Sequence, residues 1–534
     1  MSKQLLPIMT ENSSFSNLRE SGCIYVDKTG YIAKLIAISG KMYFLSRPRR
    51  FGKSLTVSTL EAIFQGRREL FKGLSIDSLD YDWKPYPVIH IDFTGCGEHT
   101  PEGVDEWLEY QLEKIALSYG IAAPDLSQHA DDVFSDLIDG LSCLGKEVVL
   151  VDEYDKVLSD NVFSPEVEKL RQVLGNFYQV VKTKGALLRF VFITGVTKYA
   201  RLSVFSKMNN LKDLSMSPVY GTMLGYTQKE LEENFAGYIG QGVKDTGMGR
   251  EAYLAKVREM YDGYRFAPGC ETVYNPVSVG SFFDGSDGGG VRFNDYWIDT
   301  GSSKLVMDMA QSVDLDVTED LKRGMAKRSL ATFDVAELGR MKGDADKVQA
   351  FLLQTGYLTI EGADEAKGLY YLRMPNREVE EAYDGSLLER LREKPVEHDL
   401  GDMCDALKAG ETKRYMEVLA SFFAGIPYMD GRRKEADYAL VVAALARLMR
   451  RQVVVAVEER TSEGRIDFAV ETGRHGYVME YKVDKSAEAA LRQIKEKRYA
   501  DKFRLEKGKT IHLLGIAFSS TGHTVQEWKE EVLA

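Results

Sequence analysis

Four short β-rich apolar runs, at residues 42–45, 88–93, 148–151 and 188–194, alternate with longer stretches in which apolar residues recur every third and fourth position, as at 55–64 and 167–182. This alternation constrains the fold more than any other feature of the chain. Strands that exchange regularly with amphipathic helices predict a mostly parallel sheet covered on both faces, so the expected class is α/β. The first run leads directly into Arg47-Pro-Arg-Arg-Phe-Gly-Lys-Ser54 and then into a helical stretch. A strand, a tight turn and a helix N-terminus gather several backbone N–H groups around one polyanion. Lys53 would then reach the β- and γ-phosphates, and the Ser54 hydroxyl would ligate Mg²⁺. The leading glycine of the usual phosphate loop is replaced by Arg47, and an ordinary basic turn would share this composition. Arg49 and Arg50 would add charge around a triphosphate, with Phe51, Gly52 and Leu55 completing the loop and the start of its helix.

Two further strand ends fit the same site. The run at 144–151 closes in Asp152-Glu153-Tyr154-Asp155. There Asp152 is placed to hold Mg²⁺ through water, and Glu153 to orient or deprotonate an attacking water. The run ending at Thr194 continues as Thr194-Gly-Val-Thr-Lys198, which puts hydroxyls and a cation where a γ-phosphate would be sensed. Together the three pieces predict ATP binding.

A second constellation lies near the C-terminus. Gly464-Arg-Ile-Asp467 and Glu480-Tyr-Lys482 fall on two strand-like stretches joined by a turn. Residues two apart on a strand share a face, so Glu480 and Lys482 project together and Asp467 can reach them from the neighbouring strand. Two carboxylates with a lysine beside them can hold Mg²⁺ or Mn²⁺ and polarise a phosphodiester. A lone Glu–Lys ion pair on a wet strand has the same spelling, but the apolar neighbours Val478, Met479 and Val483 predict a buried strand, where such a pair needs a task. Glu435, opening a helix upstream, could point at the same place, and Gln493 and Tyr499 lie on the helix that follows.

The chain of 534 residues carries a formal net charge of −12, which excludes a polycation that coats nucleic acid with its whole surface. Locally the balance reverses. Residues 485–509 hold nine Lys/Arg against four Asp/Glu, and residues 430–451 hold six against three, which suits a phosphate-backbone surface. The five cysteines are dispersed without a CxxC pair, against a zinc ribbon or disulfide scaffold. With no apolar run of membrane-spanning length or signal core, a cytoplasmic protein without a membrane partner is expected.

These stretches, in this order, resemble prokaryotic proteins that pair an N-terminal AAA-ATPase-like domain with a C-terminal PD-(D/E)xK nuclease-like domain. The resemblance also runs through Tyr25-Val-Asp-Lys28, Tyr261-Asp-Gly-Tyr-Arg-Phe266, Tyr274-Asn-Pro276, Gln354-Thr-Gly-Tyr-Leu358 and Pro375-Asn-Arg-Glu378. It implies ATP on Lys53 and Ser54, Mg²⁺ and hydrolysis on Asp152 and Glu153, and a nuclease-type metal site at Asp467, Glu480 and Lys482. The expected organisation is an AAA-like P-loop domain at 1–225, a helical, winged-helix-like middle at 226–395 and a restriction-nuclease-like α/β domain at 396–534. The expected activity is ATP-gated, metal-dependent cleavage of DNA, in defence against mobile DNA or in repair, by a chain that could form a homo-oligomer. The competing expectation is a nucleotide-dependent switch that binds DNA or protein without cutting. The 261–266 stretch is expected to be a packed turn, and Gly-rich 285–290 a mobile loop.

Overall fold

In the computed structural model the described residues are 5–10, 14–122, 128–198, 211–285, 291–297, 326–327, 345–364, 366–426, 435–461, 464–499, 508–522 and 524–533. Most of the glycine-rich stretch at 285–290 lies outside them. The chain divides into two compact units, one built from residues up to Val379 and one from Glu380 onward.

The first unit is organised by a five-stranded sheet of β1 (Lys41–Ser46), β2 (Val88–Asp92), β3 (Glu147–Asp152), β4 (Leu188–Gly195) and β5 (Leu211–Asp213), in the order β2-β3-β4-β1-β5 with every pairing parallel. All six residues of β3 are buried, as expected of a strand covered on both faces. Helices α1 (Lys53–Phe64), α2 (Pro101–Ser118), α3 (Ala130–Leu141) and α4 (Val167–Thr183) follow or separate these strands. Phe134 of α3 and Phe177 of α4 stack with ring centroids 4.5 Å apart. Register places Asp92 beside Asp152, and Ser46 beside Gly195, so the strands deliver their carboxyl ends to one edge, where open α/β sheets bind ligands.

The same unit continues through a helical layer that includes α5 (Arg250–Tyr261) and α6 (Pro276–Asp284). Asn275 caps α6 with its side chain on the amides of Val277 and Ser278, and Pro276 supplies the preset first turn. A small antiparallel sheet joins β6 (Ala326–Lys327), which comes before helix α7 (Ala345–Thr355), to β7 (Thr359–Asp364) and β8 (Leu369–Arg373), which come after it, in the order β6-β8-β7.

In the second unit α8 (Arg377–Arg392), from Glu380 on, joins α9 (Glu397–Ala409), α10 (Thr412–Ala424) and α11 (Glu435–Met449). A mixed sheet follows, made of β9 (Val454–Thr461), β10 (Gly464–Glu471), β11 (His475–Val483), β12 (Thr510–Phe518) and β13 (Val525–Leu533) in the order β13-β12-β11-β10-β9. Only β11 and β12 pair in parallel, with α12 (Ala487–Glu496) between them in sequence. One core packs α9, α10 and α11 against Phe468, Met479 and Leu514. A second packs Leu491 and Ile494 of α12 against Ala469, Val478 and Leu513. Among the described residues, no helix is long and apolar enough to cross a membrane.

The basic segment at 430–451 has a different use from the one its composition suggests. Arg447 is buried against the Asp384 carboxylate, Arg451 Nε lies 2.6 Å from Glu381, and Arg450 lies 3.4 Å from Glu380. These three cations neutralise the acidic face of α8, which sequence counting had left out. Residues 432–434 lie outside the described set.

Candidate nucleotide and metal sites

Between β1 and α1 the chain turns through Arg50 at φ 67° and Gly52 at φ 86°, both in the left-handed region, and α1 begins at Lys53. Such a turn at a helix N-terminus lets consecutive amides converge on an anion. The loop borders a cleft of about 260 Å³ whose walls include Arg50 to Leu55 and Glu153 together with the apolar Ile24, Val26 and Pro276. The lining thus combines polar groups that suit phosphates with apolar ones that suit a base.

Inside the cleft Lys53 is buried, with Nζ 3.2 Å from Glu153 Oε1 and donating to the Pro48 carbonyl at 3.3 Å. The Ser54 hydroxyl bonds the Asp152 carboxylate, which also accepts the Glu153 amide at 2.9 Å. Burial first, then the Glu153 charge, raise Asp152 to about 6, against the pull of Ser54 and Lys53. A hydroxyl bonded to a desolvated carboxylate is a donor set that fits Mg²⁺. Glu153 itself sits at φ 49°, a conformation few non-glycine residues adopt and one that clusters at functional positions.

Other expected loop residues separate into distinct environments. Phe51 is buried, its ring edge-on to Tyr264 (4.8 Å) and Phe266 (5.1 Å), which makes 261–266 the packed turn expected. Arg50 reaches the Tyr296 carbonyl at 3.4 Å, and the Tyr296 amide donates to buried Glu378 at 2.7 Å. Arg49 is exposed and does not line the cleft. Thr194 is also absent from the cleft wall. It is fully buried, and its hydroxyl donates to the Leu45 carbonyl at 2.7 Å, within the sheet rather than toward a phosphate. Arg47 is no solvated turn residue either. It is 2% exposed, donates to the carbonyls of Ser46, Ser215 and Tyr220, and lies over the Phe266 ring at 4.2 Å.

Sequence reasoning missed what holds the end of β4. Buried Asp155 accepts the amides of Val196 (3.2 Å) and Thr197 (2.7 Å) together with the Thr197 hydroxyl. A Cβ at Gly195 would stand 2.2 Å from Asp155 Oδ1, so the approach demands glycine. The signal was present in the Asp152–Asp155 run but was absorbed into the metal assignment.

In the second unit Asp467 of β10 accepts the Tyr481 amide at 3.2 Å and neighbours Glu480 of β11. Glu480 is 1% exposed. Its Oε1 accepts from Lys482 Nζ at 3.0 Å and from Gln493 of α12, while Oε2 is buried without a hydrogen-bond partner. Burial, then the Asp467 charge, push Glu480 up to about 7, opposed by Lys482. An orphaned buried carboxylate oxygen beside a second carboxylate fits a divalent ion, which would satisfy both. No group of three or more His, Cys, Asp and Glu suited to a metal occurs among the described residues, so other ligands would come from water and substrate oxygens. Gln493 is held close because α12 lies on β12 at Gly515, where a Cβ would meet the Ala487 carbonyl at 2.2 Å. Glu435 stands first in α11, and its side chain lies outside the described set. Tyr499 is buried in the core cluster that also holds Leu491 and Ile494 of α12.

Comparison with known proteins follows the same division. Residues 10–205 match the family model described as a predicted AAA-ATPase, and residues 433–528 match that of the PD-(D/E)XK nuclease superfamily. The chain is also similar to a protein of Azotobacter chroococcum mcd 1 known as an uncharacterized protein in the vnfD 5′ region. The two are 35% identical over 546 residues, spanning 98% of each.

Proposed function

Because the chain belongs to the family that joins an AAA-ATPase-like domain to a PD-(D/E)XK nuclease superfamily domain, we propose that it is an ATP-gated, metal-dependent DNA nuclease. The observation that carries the cleavage half is Glu480, a buried carboxylate with one oxygen tied to Lys482 and Gln493 and the other unsatisfied beside Asp467. Asp467 and Glu480 would hold Mg²⁺ or Mn²⁺, which when bound supplies Lewis acidity to a phosphodiester. Lys482 would orient the attacking water or offset the charge that develops on the phosphate.

In the N-terminal unit an incoming triphosphate competes for Lys53 and draws it from Glu153, leaving that carboxylate to orient water. Ser54 and Asp152 would hold Mg²⁺. Arg50, on the cleft wall, adds positive charge. Handling of foreign or damaged DNA is the role such a pairing suits.

The test is cleavage of single- and double-stranded DNA by the purified full chain with Mg²⁺ or Mn²⁺, with and without ATP. Glu480→Ala and Lys482→Ala should each abolish cleavage; unchanged cutting by both refutes the site. DNA retained but uncut under every condition would replace the nuclease by a nucleotide-dependent binding switch.

A further inference from the structure

The family model for the ATPase ends at residue 205, yet the phosphate loop rests on residues far beyond it. Helix α7 ends at Thr355, and Gly356 follows at φ 90°, with the Tyr357 amide donating back to the Leu352 carbonyl at 2.9 Å. That is a helix stop which calls for glycine on conformational grounds alone. A second constraint falls on the same atom. A Cβ at Gly356 would stand 2.8 Å from Pro48 Cβ and 3.1 Å from Pro48 Cγ, so the bare glycine is where the phosphate loop lies against α7. The Pro48 carbonyl in turn accepts from Lys53 Nζ.

Two residues earlier, Gln354 Oε1 accepts the Lys198 amide at 2.7 Å, just past the end of β4. One helix-terminal turn thus touches two strand ends of the sheet: the phosphate loop after β1 and the segment after β4. The turn is itself anchored. The Arg265 amide donates to Thr359 Oγ1 at 2.6 Å, and Arg265 Nη1 to the Glu361 carbonyl at 2.6 Å, which ties β7 to the 261–266 turn that grips Phe51.

We infer that the turn at residues 354–358 is a clamp that sets the phosphate loop and responds to its occupancy, with Gly356 and Gln354 as positioning residues for ATP. The inference rests on the reading of the loop as a nucleotide site and assigns its geometry to a part of the chain outside the ATPase family match. Gly356 acts through Pro48 on Lys53. Gln354 acts through Lys198 on the end of β4.

The experiment uses the full chain and the slowly hydrolysed analogue AMP-PNP with Mg²⁺. Binding by the unaltered protein should slow amide exchange at Tyr357 and Leu358. Gly356→Ala should weaken AMP-PNP binding by about tenfold or more. Since that change also strains a helix stop, a second pair separates positioning from folding. Gln354→Leu should raise KM for ATP by about three- to tenfold with kcat within about twofold, and Gln354→Glu, which keeps an oxygen toward the Lys198 amide, should restore it. If the unaltered chain binds AMP-PNP while exchange at 357–358 and the affinities of Gly356→Ala and Gln354→Leu stay unchanged, the clamp is overturned alone. If the unaltered chain does not bind AMP-PNP, the nucleotide reading falls and the clamp with it.

Discussion

Arg47 occupies the place of a glycine in the usual phosphate loop, and its use is structural. Its Nη1 and Nη2 donate to three backbone carbonyls and its plane lies over one aromatic face, while Nε is buried without a hydrogen-bond partner, and burial brings the group down to about 9. Arg47→Leu strips charged donors from three carbonyls and should cost about 3 kcal/mol or more, read as a lowered urea midpoint. Lys53 and Glu153 differ from it in kind, since both face the cleft. Lys53→Ala should lose nucleotide affinity, whereas Glu153→Gln should keep binding and lose turnover, both measurable by calorimetry and phosphate release. Glu147, at the far end of β3, is fully buried with neither carboxylate oxygen hydrogen-bonded, and burial pushes it up to about 7. A carboxyl raised from 4.5 in this way favours the folded state most below its unfolded value, and that contribution is lost as pH climbs through about 7. Glu147→Gln removes the loss. Thermal unfolding should show the variant gaining on the parent between pH 5 and pH 8, by about 1–2 kcal/mol. An identical difference at both pH values would contradict the assignment.

At the scale of elements, the strands of the first sheet were legible because a strand buried on both faces must be an unbroken β-rich run, as β3 is. β5, the two-residue β6 and β13 were not. β5 is only Leu-Lys-Asp, too short and too polar to show a period, and β13 spells Val-Gln-Glu-Trp-Lys-Glu-Glu-Val-Leu with no residue buried. Helix α12 stops at Glu496, followed by Arg498 in the left-handed region at φ 49°. Of the site, the carboxylates and lysines were legible by residue type and spacing. The inward turn of the Thr194 hydroxyl was not, because sequence does not say which of two polar partners a hydroxyl takes. Glycines show the same limit. Gly263, at φ 114°, faces the Pro375 carbonyl so closely that a Cβ would stand 1.9 Å from it, whereas a Cβ on Gly385 in α8 meets nothing within 4 Å. Gly263→Ala should therefore destabilise by about 3 kcal/mol or more and Gly385→Ala stabilise by about 0.5–1 kcal/mol, as urea titration of each variant would report.

For the whole molecule, charge counts were the least faithful guide. The run at 430–451 reads as a basic surface, yet three of its arginines are matched to carboxylates of α8, and in the following run Lys495 and Lys509 are paired with Glu531 and Glu471. If the two proposed activities are linked, substitutions in one unit should be felt asymmetrically. Lys482→Ala should abolish DNA cleavage and leave ATP turnover within about twofold, whereas Lys53→Ala should lower both. Cleavage by Lys53→Ala at the parent rate, in the presence of ATP, would mean that the two activities run independently. A last consequence belongs to Gly515. Backbone contact there, with Leu491 and Ile494 packed on the sheet, sets how near α12 lies, and Gln493 is not among those contacts, so position 493 can be exchanged while its neighbours keep their spacing. Under the proposed metal site, that makes it a tuning knob through which an engineer could reset which ion the acidic pair prefers and leave the surrounding scaffold as it stands.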